Sequence, residues 1–139
     1  MGFHLIAVTP LGEFINRDIE ELQVKSELGL LTIYENHESL ITTLDPAAIT
    51  YRTKLHEYNL AMTSGVLEID SSTNTVKIIA DALFYKTQID YQLANEMLSN
   101  AKRRLANTQA KRERETLLQK IAEQEAKIIL TSLPGRKRI

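Results

Sequence analysis

The stretch TSGVLEIDSSTNTVKIIADALFYKTQID, residues 63–90, contains two runs in which apolar and polar residues alternate around a polar turn. Alternation with a period of two is typical of a β-strand with one buried face. The segment SSTN between the runs has the composition of a turn. Very little strand pattern follows this stretch, so the chain changes from strand to helix near residue 86.

Upstream residues give further short strands. FHLIAVTP predicts a strand that ends at Pro10, because proline cannot donate a ladder hydrogen bond. Gly12 and Gly29 mark turns, and Asp45-Pro46 breaks a later strand. Several short strands at close spacing predict a β-sandwich or barrel that extends to about Tyr85.

The C-terminal part has helical periodicity. Asp90 is a predicted N-cap, and two apolar stripes follow it at steps of three and four residues. The stripes comprise Leu93, Ala94, Met97, Leu98, Ala101 and Leu105, then Leu117, Leu118, Ile121, Ala122, Glu125, Ile128 and Ile129, with Glu125 expected at a buried position. Asn107-Thr108 separates the stripes without glycine or proline, so both a helical hairpin and one continuous helix fit. Pro134-Gly135 ends the pattern before a short basic tail.

The predicted fold class is therefore α+β: an N-terminal β-sandwich or barrel (1–86), then a C-terminal two-helix α-hairpin with a basic tail (87–139). Up to Lys86 there are twelve acidic and six basic residues, whereas from Thr87 onward there are eleven basic and six acidic residues. Regions of opposite charge can attract each other or select different partners. The apolar stripes are modest, so the hairpin is expected to need the β part or a partner for its stability.

The composition argues against several function classes. The chain has no cysteine, which excludes disulfides and thiolate metal sites. No membrane span, secretion signal, phosphate loop or nucleophile triad is recognisable, so neither an enzyme nor a cofactor is expected, and a cytosolic protein is the default. His37 has no second ligand at metal spacing from His4 or His56, so it is interpreted as a structural or contact histidine.

Four segments, in the right order, resemble the ε subunit of F-type ATP synthases. TSGVLEIDSSTNTVKIIADAL, residues 63–83, resembles the family's (S)GG(F/I)LEV…N.V.VLAD.A stretch, and "IDYQLANEMLSNAKRRL" resembles its first C-terminal helix. Upstream matching positions are Gly29, Ile33, His37, Leu40, Ile41, Thr42, Leu44 and Pro46, and near the start Thr9, Pro10, Gly12, Phe14, Ile19 and Val24.

The resemblance implies a non-catalytic central-stalk subunit that couples a γ subunit to the membrane ring of c-type subunits. It implies a peripheral place on the cytoplasmic side of the cell membrane, in a complex that transports protons. It also implies contact residues for the ring or γ at Gly29, Leu30, Tyr34, Asn36 and His37. The helices would form an arm that inhibits ATP hydrolysis when it extends to the α and β catalytic subunits. The arm's basic cluster comprises Arg103, Arg104, Lys111, Arg112 and Arg114.

The sequence also departs from the family pattern. Thr32, Glu35, Ser39 and Ala47 stand where the family has glycine or proline, which removes backbone constraints. Some family members bind ATP through an (I/L)DxxRA motif. Leu93 here occupies the arginine position, and a second arginine position holds Asn100. Without a guanidinium group there is little to hold a polyphosphate, so Asp90 is the only candidate nucleotide-binding residue left.

Three other interpretations remain open. The basic cluster could be a solvated helix face in which Arg112 pairs with Glu113 or Glu115. The chain could serve an F-type-like ATPase head in a machine without a proton ring, or it could be a free-standing nucleotide-sensing module. Nucleic-acid binding is disfavoured, because no aromatic residue accompanies the basic ones.

Overall fold

The computed structural model describes residues 2–85 and 89–132. The strands of the described chain are β1 (Phe3–Thr9), β2 (Gly12–Ile19), β3 (Glu21–Ser26), β4 (Gly29–Ile33), β5 (Leu40–Leu44), β6 (Ala47–Arg52), β7 (Glu57–Met62), β8 (Gly65–Asp70), β9 (Thr75–Ala80) and β10 (Leu83–Tyr85). Two helices follow, α1 (Tyr91–Asn107) and α2 (Lys111–Ser132). The α+β prediction is confirmed. The predicted basic tail after Pro134 lies outside the described residues.

The strands form one curled sheet. Neighbouring strands follow the order β10-β7-β6-β3-β5-β8-β9-β1-β2, with β4 paired to the free side of β3. Only the β1–β9 pair is parallel among the described pairs. The rings of Phe14 on β2 and Tyr85 on β10 stack with centroids 5.2 Å apart, so the two ends of the sheet meet and the barrel nearly closes.

The alternating pattern of residues 63–90 places its apolar residues as predicted. Val76, Ile78 and Ala80 on β9 are buried, as are Leu67 and Ile69 on the neighbouring strand β8. Both strands contribute every second residue to the core, because side chains alternate across a strand. The predicted turn occupies the residues between β8 and β9.

Gly65 begins β8 for a steric reason. A Cβ atom built there would lie 2.3 Å from the carbonyl oxygen of Ile79 on β9. Only glycine allows the two backbones to approach so closely without a shift. The close approach occurs in the register that places Val66 opposite Ile79.

The C-terminal region is a hairpin, so the alternative of one continuous helix is wrong. Asp90 is the N-cap of α1, and its carboxylate accepts a hydrogen bond from the amide of Leu93 (3.1 Å). Thr108 at the other end has an extended backbone. The guanidinium of Arg114 on α2 donates hydrogen bonds to the carbonyl oxygens of Leu105 (3.0 Å) and Thr108 (3.1 Å), which satisfies the end of α1.

The predicted buried stripe of α2 needs correction. Glu125 is exposed, whereas Gln124 is buried with 3 % of its surface accessible. Leu117 and Ile121 pack against Ala101 on α1, so the stripe is narrower than predicted, and Leu118 and Ile129 are exposed. On α1, Leu93 and Met97 are likewise exposed.

The hairpin lies against the β domain, with α2 in contact with β6 and β7. A two-helix hairpin buries little apolar surface by itself, and this contact adds to what it buries. None of the described helices is long and apolar enough to span a membrane.

Candidate functional site

The β3–β4 turn carries the first two predicted contact residues. Gly29 has a φ of 112°, a conformation that glycine adopts readily. The hydroxyl of Ser26 donates to the Gly29 carbonyl (2.9 Å) and accepts from the Leu28 amide (3.1 Å), so the turn is tight. Leu28 and Leu30 are 76 % and 85 % exposed on this turn. Two solvent-exposed leucines on a hydrogen-bonded turn are suited to insertion into an apolar partner surface.

The β4–β5 loop carries the other three, Tyr34, Asn36 and His37. Tyr34 is exposed, and Asn36 has a left-handed backbone with a φ of 60°. The Asn36 amide donates to Oδ1 of Asn74 in the β8–β9 turn (2.9 Å), and Nδ2 of Asn74 donates to the Gly2 carbonyl (2.8 Å). A ring nitrogen of His37 lies 2.8 Å from the Glu38 carbonyl. The loop is therefore fastened by side chains.

Ser39, which stands where the family pattern has proline, makes hydrogen bonds that hold the loop in place of the missing proline constraint. The Ser39 hydroxyl lies 2.9 Å from the Ser71 hydroxyl and accepts a hydrogen bond from the Ser71 amide (3.0 Å). Together with the Asn36–Asn74 bond, this pair ties the loop to the β8–β9 turn. Hydrogen bonds here replace the backbone constraint that the sequence lacks.

The structure does not bring the five predicted contact residues together. Gly29 and Leu30 begin β4, whereas Tyr34, Asn36 and His37 follow its last residue, Ile33. A five-residue strand is about 16 Å long. Gly29 and Leu30 on the one hand and the loop residues on the other therefore lie at opposite ends of β4.

A third exposed surface, which was not predicted from the sequence, is formed by β5, β8, β9 and β1. Val66 lies opposite Ile79, and Ile79 opposite Val8, while Ile41 shares their face of the sheet. Ile41 is 73 % exposed and Ile79 48 %. We name Val8, Ile41, Val66 and Ile79 the aliphatic face. The signal in the sequence was that GVLEI and TVKIIA carry β-branched residues at outward positions as well as inward ones.

The same outer face of the sheet carries a polar network on β1 and β2. His4 Nδ1 lies 2.7 Å from Asp18 Oδ1, and His4 Nε2 contacts Asn16 Oδ1. The Asn16 amide nitrogen donates to Glu13 (2.7 Å), which turns its oxygen toward His4. The hydrogen bond to Asp18, followed by that to Asn16, raises the pKa of His4. With an oxygen at each ring nitrogen, the cationic form of His4 makes two donor bonds.

The predicted basic cluster of the arm divides into two groups. Arg104 pairs with Glu113 (3.5 Å) and Arg114 caps α1, so both stabilise the hairpin. Glu113 also accepts a hydrogen bond from the Thr108 hydroxyl (3.0 Å), so its partners are Arg104 and Thr108 rather than Arg112, which one open interpretation paired with it. Arg103, Lys111 and Arg112 are the other group, with exposed side chains. These three remain available for an acidic partner.

Asp90, the only candidate nucleotide-binding residue, lies at a cleft of about 190 Å³ between the helices and Phe84. Its carboxylate already caps α1. Leu93 and Met97 also line the cleft, and Lys127 is the single cation among its described lining residues. With one lysine ammonium group and no arginine guanidinium among these lining residues, the cleft offers few hydrogen-bond donors to a polyphosphate.

Comparisons with known proteins agree with this architecture. Residues 2–85 match the family described as the ATP synthase delta/epsilon chain beta-sandwich domain. An ATP synthase epsilon chain of Clostridium kluyveri is 35 % identical over 74 % of this chain and 77 % of its own length. One from Mycoplasma mobile is 33 % identical over 66 % of this chain and 65 % of its own length.

Solved structures share the fold at low sequence identity. A chain in the Euglena gracilis mitochondrial ATP synthase assembly (OSCP/F1/c-ring) superposes with a TM-score of 0.78 at 13 % identity, over 90 % of this chain and 78 % of that one. A chain in the central stalk/c-ring structure of Tetrahymena thermophila mitochondrial ATP synthase gives 0.66 at 16 % identity, over 95 % and 98 %.

The fold and the sequence match define a protein with a β-sandwich of the ATP synthase delta/epsilon type and an appended helical hairpin. The chain belongs to the ATP synthase delta/epsilon chain family, and the curated relatives reported above are epsilon chains.

Proposed function

We propose that this chain is the epsilon-type subunit of the central rotor stalk in a rotary F-type ATP synthase. In this role it is a non-catalytic part of a proton-translocating complex, peripheral to the cytoplasmic side of the cell membrane. The observation that carries the proposal is the match of residues 2–85 to the ATP synthase beta-sandwich domain. The two-helix appendage and the structural neighbours from ATP synthase assemblies support it.

The exposed surfaces support three docking regions on the β domain. The turn with Gly29 and Leu30 and the loop with Tyr34, Asn36 and His37 are the proposed contacts with the c-type ring and the γ subunit. The aliphatic face is a further proposed contact with the γ subunit, because Ile41, Val66 and Ile79 expose branched side chains on one face of the sheet. A stalk subunit that touches both partners couples them as one rotating body.

The tagged full-length chain, expressed with its native partners, tests the docking proposal. Co-purification of the γ and ring subunits is the expected result. A Leu30→Asp variant should lose ring subunits, since it places a charge in an apolar contact. Leu118→Asp is the matched control, because Leu118 is an exposed leucine on α2, outside the proposed contact. Retention of a catalytic head without any ring would instead favour an ATPase that serves another machine.

The hairpin is the proposed regulatory arm. Docked on β6 and β7, as in this structure, it leaves the catalytic subunits unobstructed. Extended, it presents Arg103, Lys111 and Arg112 to acidic segments of the α and β subunits and opposes rotation. The exchange is a population shift between two packings of similar free energy.

Removal of the arm tests this role. Deletion of the residues after Lys86 should raise ATP hydrolysis by the reconstituted catalytic head. A second variant, Ser64→Cys with Gln119→Cys, allows a short bismaleimide to hold the arm down, since these side chains contact each other and the native chain has no cysteine. Hydrolysis should rise after cross-linking and stay unchanged in each single-cysteine variant. If both treatments leave hydrolysis unchanged, the arm is not inhibitory.

A further inference from the structure

A polar seam joins α2 to the β domain. Its helical members lie one turn apart on one face of α2, at positions i, i+4 and i+8. Its members are Gln119, Glu123 and Lys127 on α2 and Ser64, Asp81 and Phe84 on the β domain. We use the name polar seam for these six residues.

The two outer contacts of the polar seam are attractive. The Gln119 side-chain amide donates to the Ser64 hydroxyl. The Lys127 ammonium lies 4.3 Å from the centre of the Phe84 ring, within cation–π range. Asp81 belongs to the same surface, because its amide donates to the Ser64 carbonyl (3.3 Å) and Phe84 follows it by three residues.

The middle position of the polar seam brings two like charges, those of Glu123 and Asp81, within electrostatic range of each other. Glu123 lies one turn after Gln119 and one turn before Lys127, so it faces the segment that carries Asp81. Glu123 is half-buried in the docked arm. The charged groups that act on it are Asp81 from the β9–β10 connection and Lys127 and Lys120 from its own helix. Burial, opposed by Lys127 and reinforced by Asp81, raises the pKa of Glu123.

We propose that the polar seam is a proton-sensitive latch, in which protonation of Glu123 opposite Asp81 strengthens docking of the arm. When the arm undocks, Glu123 regains water and moves away from Asp81. A carboxyl group that binds its proton more tightly in the docked state shifts the equilibrium toward docking as pH falls. The latch adds acidification as a regulator of the arm. It rests on the proposed regulatory role only for its biological consequence.

Hydrogen exchange of the isolated full-length chain tests the latch without an ATPase complex. Amides of α2 report local undocking, while amides of β8 and β9 report global unfolding and serve as the internal reference. The protection factor of α2 relative to this reference should increase severalfold as the pH falls from about 8 to the ordinary glutamate pKa of 4.5, after correction for intrinsic exchange rates.

Three variants assign the effect. Glu123→Gln should give high α2 protection at both pH values and remove most of the pH dependence. Asp81→Asn should reduce the dependence in part. Glu125→Gln is the control, because Glu125 lies on the same helix but is exposed, and it should behave as the unmodified chain.

The latch is overturned if α2 protection in the unmodified chain does not change with pH. It is also overturned if Glu123→Gln shows the same pH dependence of α2 protection as the Glu125→Gln control and the unmodified chain. Because this readout is docking and not hydrolysis, it separates the latch from the proposed inhibitory role. A pH-dependent arm whose deletion leaves hydrolysis unchanged would retain the latch and remove the inhibition.

Discussion

The side chain of Asn74 accepts a hydrogen bond from the backbone amide of Asn36, 2.9 Å away and 38 residues earlier in the chain. Both residues have left-handed backbones, with φ values of 54° and 60°. Asn74 also holds the N-terminal segment through the Gly2 carbonyl. One turn residue therefore positions the loop that carries three of the proposed contact residues.

Replacement of Asn74 by glycine should loosen this loop. Glycine tolerates the left-handed backbone, so the variant removes the side-chain bonds without adding backbone strain. We expect a loss of about 1–2 kcal/mol in the free energy of unfolding from two hydrogen bonds, together with faster exchange of the Asn36 amide. Asn74→Asp keeps the acceptor for Asn36 and should preserve protection of that amide. Equal exchange in both variants would show that the bond does not hold the loop.

Neighbouring isoleucines on β9 should differ strongly in their contribution to stability. Ile78 is fully buried, whereas Ile79 is 48 % exposed on the aliphatic face. Ile78→Ala should lower the free energy of unfolding by about 2–5 kcal/mol, and Ile79→Ala by about 1 kcal/mol or less. Urea unfolding of the two variants measures this difference. Ile79→Ala should instead weaken γ binding, and similar stability losses would contradict the assigned faces.

The His4 network predicts a pH dependence of stability. The pKa of His4 is raised above its ordinary value of 6.5 by the hydrogen bonds to Asp18 and Asn16. The folded chain therefore binds this proton more tightly than the unfolded chain. The stabilisation is fully present below pH 6.5 and is lost as pH rises through the folded-state pKa.

Chemical unfolding across this range measures the effect. His4→Gln should flatten this part of the pH profile, and Asp18→Asn should reduce its slope because it removes the charged acceptor. A profile that is the same in His4→Gln and in the unmodified chain would show that His4 is not the group responsible.

Because the basic cluster divides into two groups, we expect that the positive charge of the arm can be removed without loss of hairpin stability. Exchange of Arg103, Lys111 and Arg112 for glutamine should raise ATP hydrolysis in the reconstituted complex while helix content is retained, because these side chains are exposed. Arg114→Ala should instead cost about 1 kcal/mol of hairpin stability through its lost carbonyl contacts. Helical circular dichroism and hydrolysis measured on both variants test this. Unchanged hydrolysis in the triple variant would remove these charges from the inhibitory contact.

Features that depend on residues close together in the sequence could be predicted, whereas features that depend on contacts between distant residues could not. The strands β8 and β9 and the N-cap at Asp90 depend on neighbouring residues, so alternation and capping chemistry revealed them. The hairpin break depended on Arg114 reaching back to Leu105, a contact that periodicity does not encode. The predicted stripe included the exposed Glu125 and omitted the buried Gln124, because burial on α2 depends on where α1 and the sheet lie against it.

The sequence by itself determined a β-sandwich followed by a helical region, the division of charge between them, and membership of the family. Only the tertiary structure decided which exposed side chains share a surface. The strand β4 separates Leu30 from His37, and sheet pairing brings Val8 to Ile79 and Asn74 to Asn36. The physical reason is that the local alternation of apolar and polar residues fixes which side chains of a strand face the core. The order of strands across the sheet depends instead on long-range packing and hydrogen bonds.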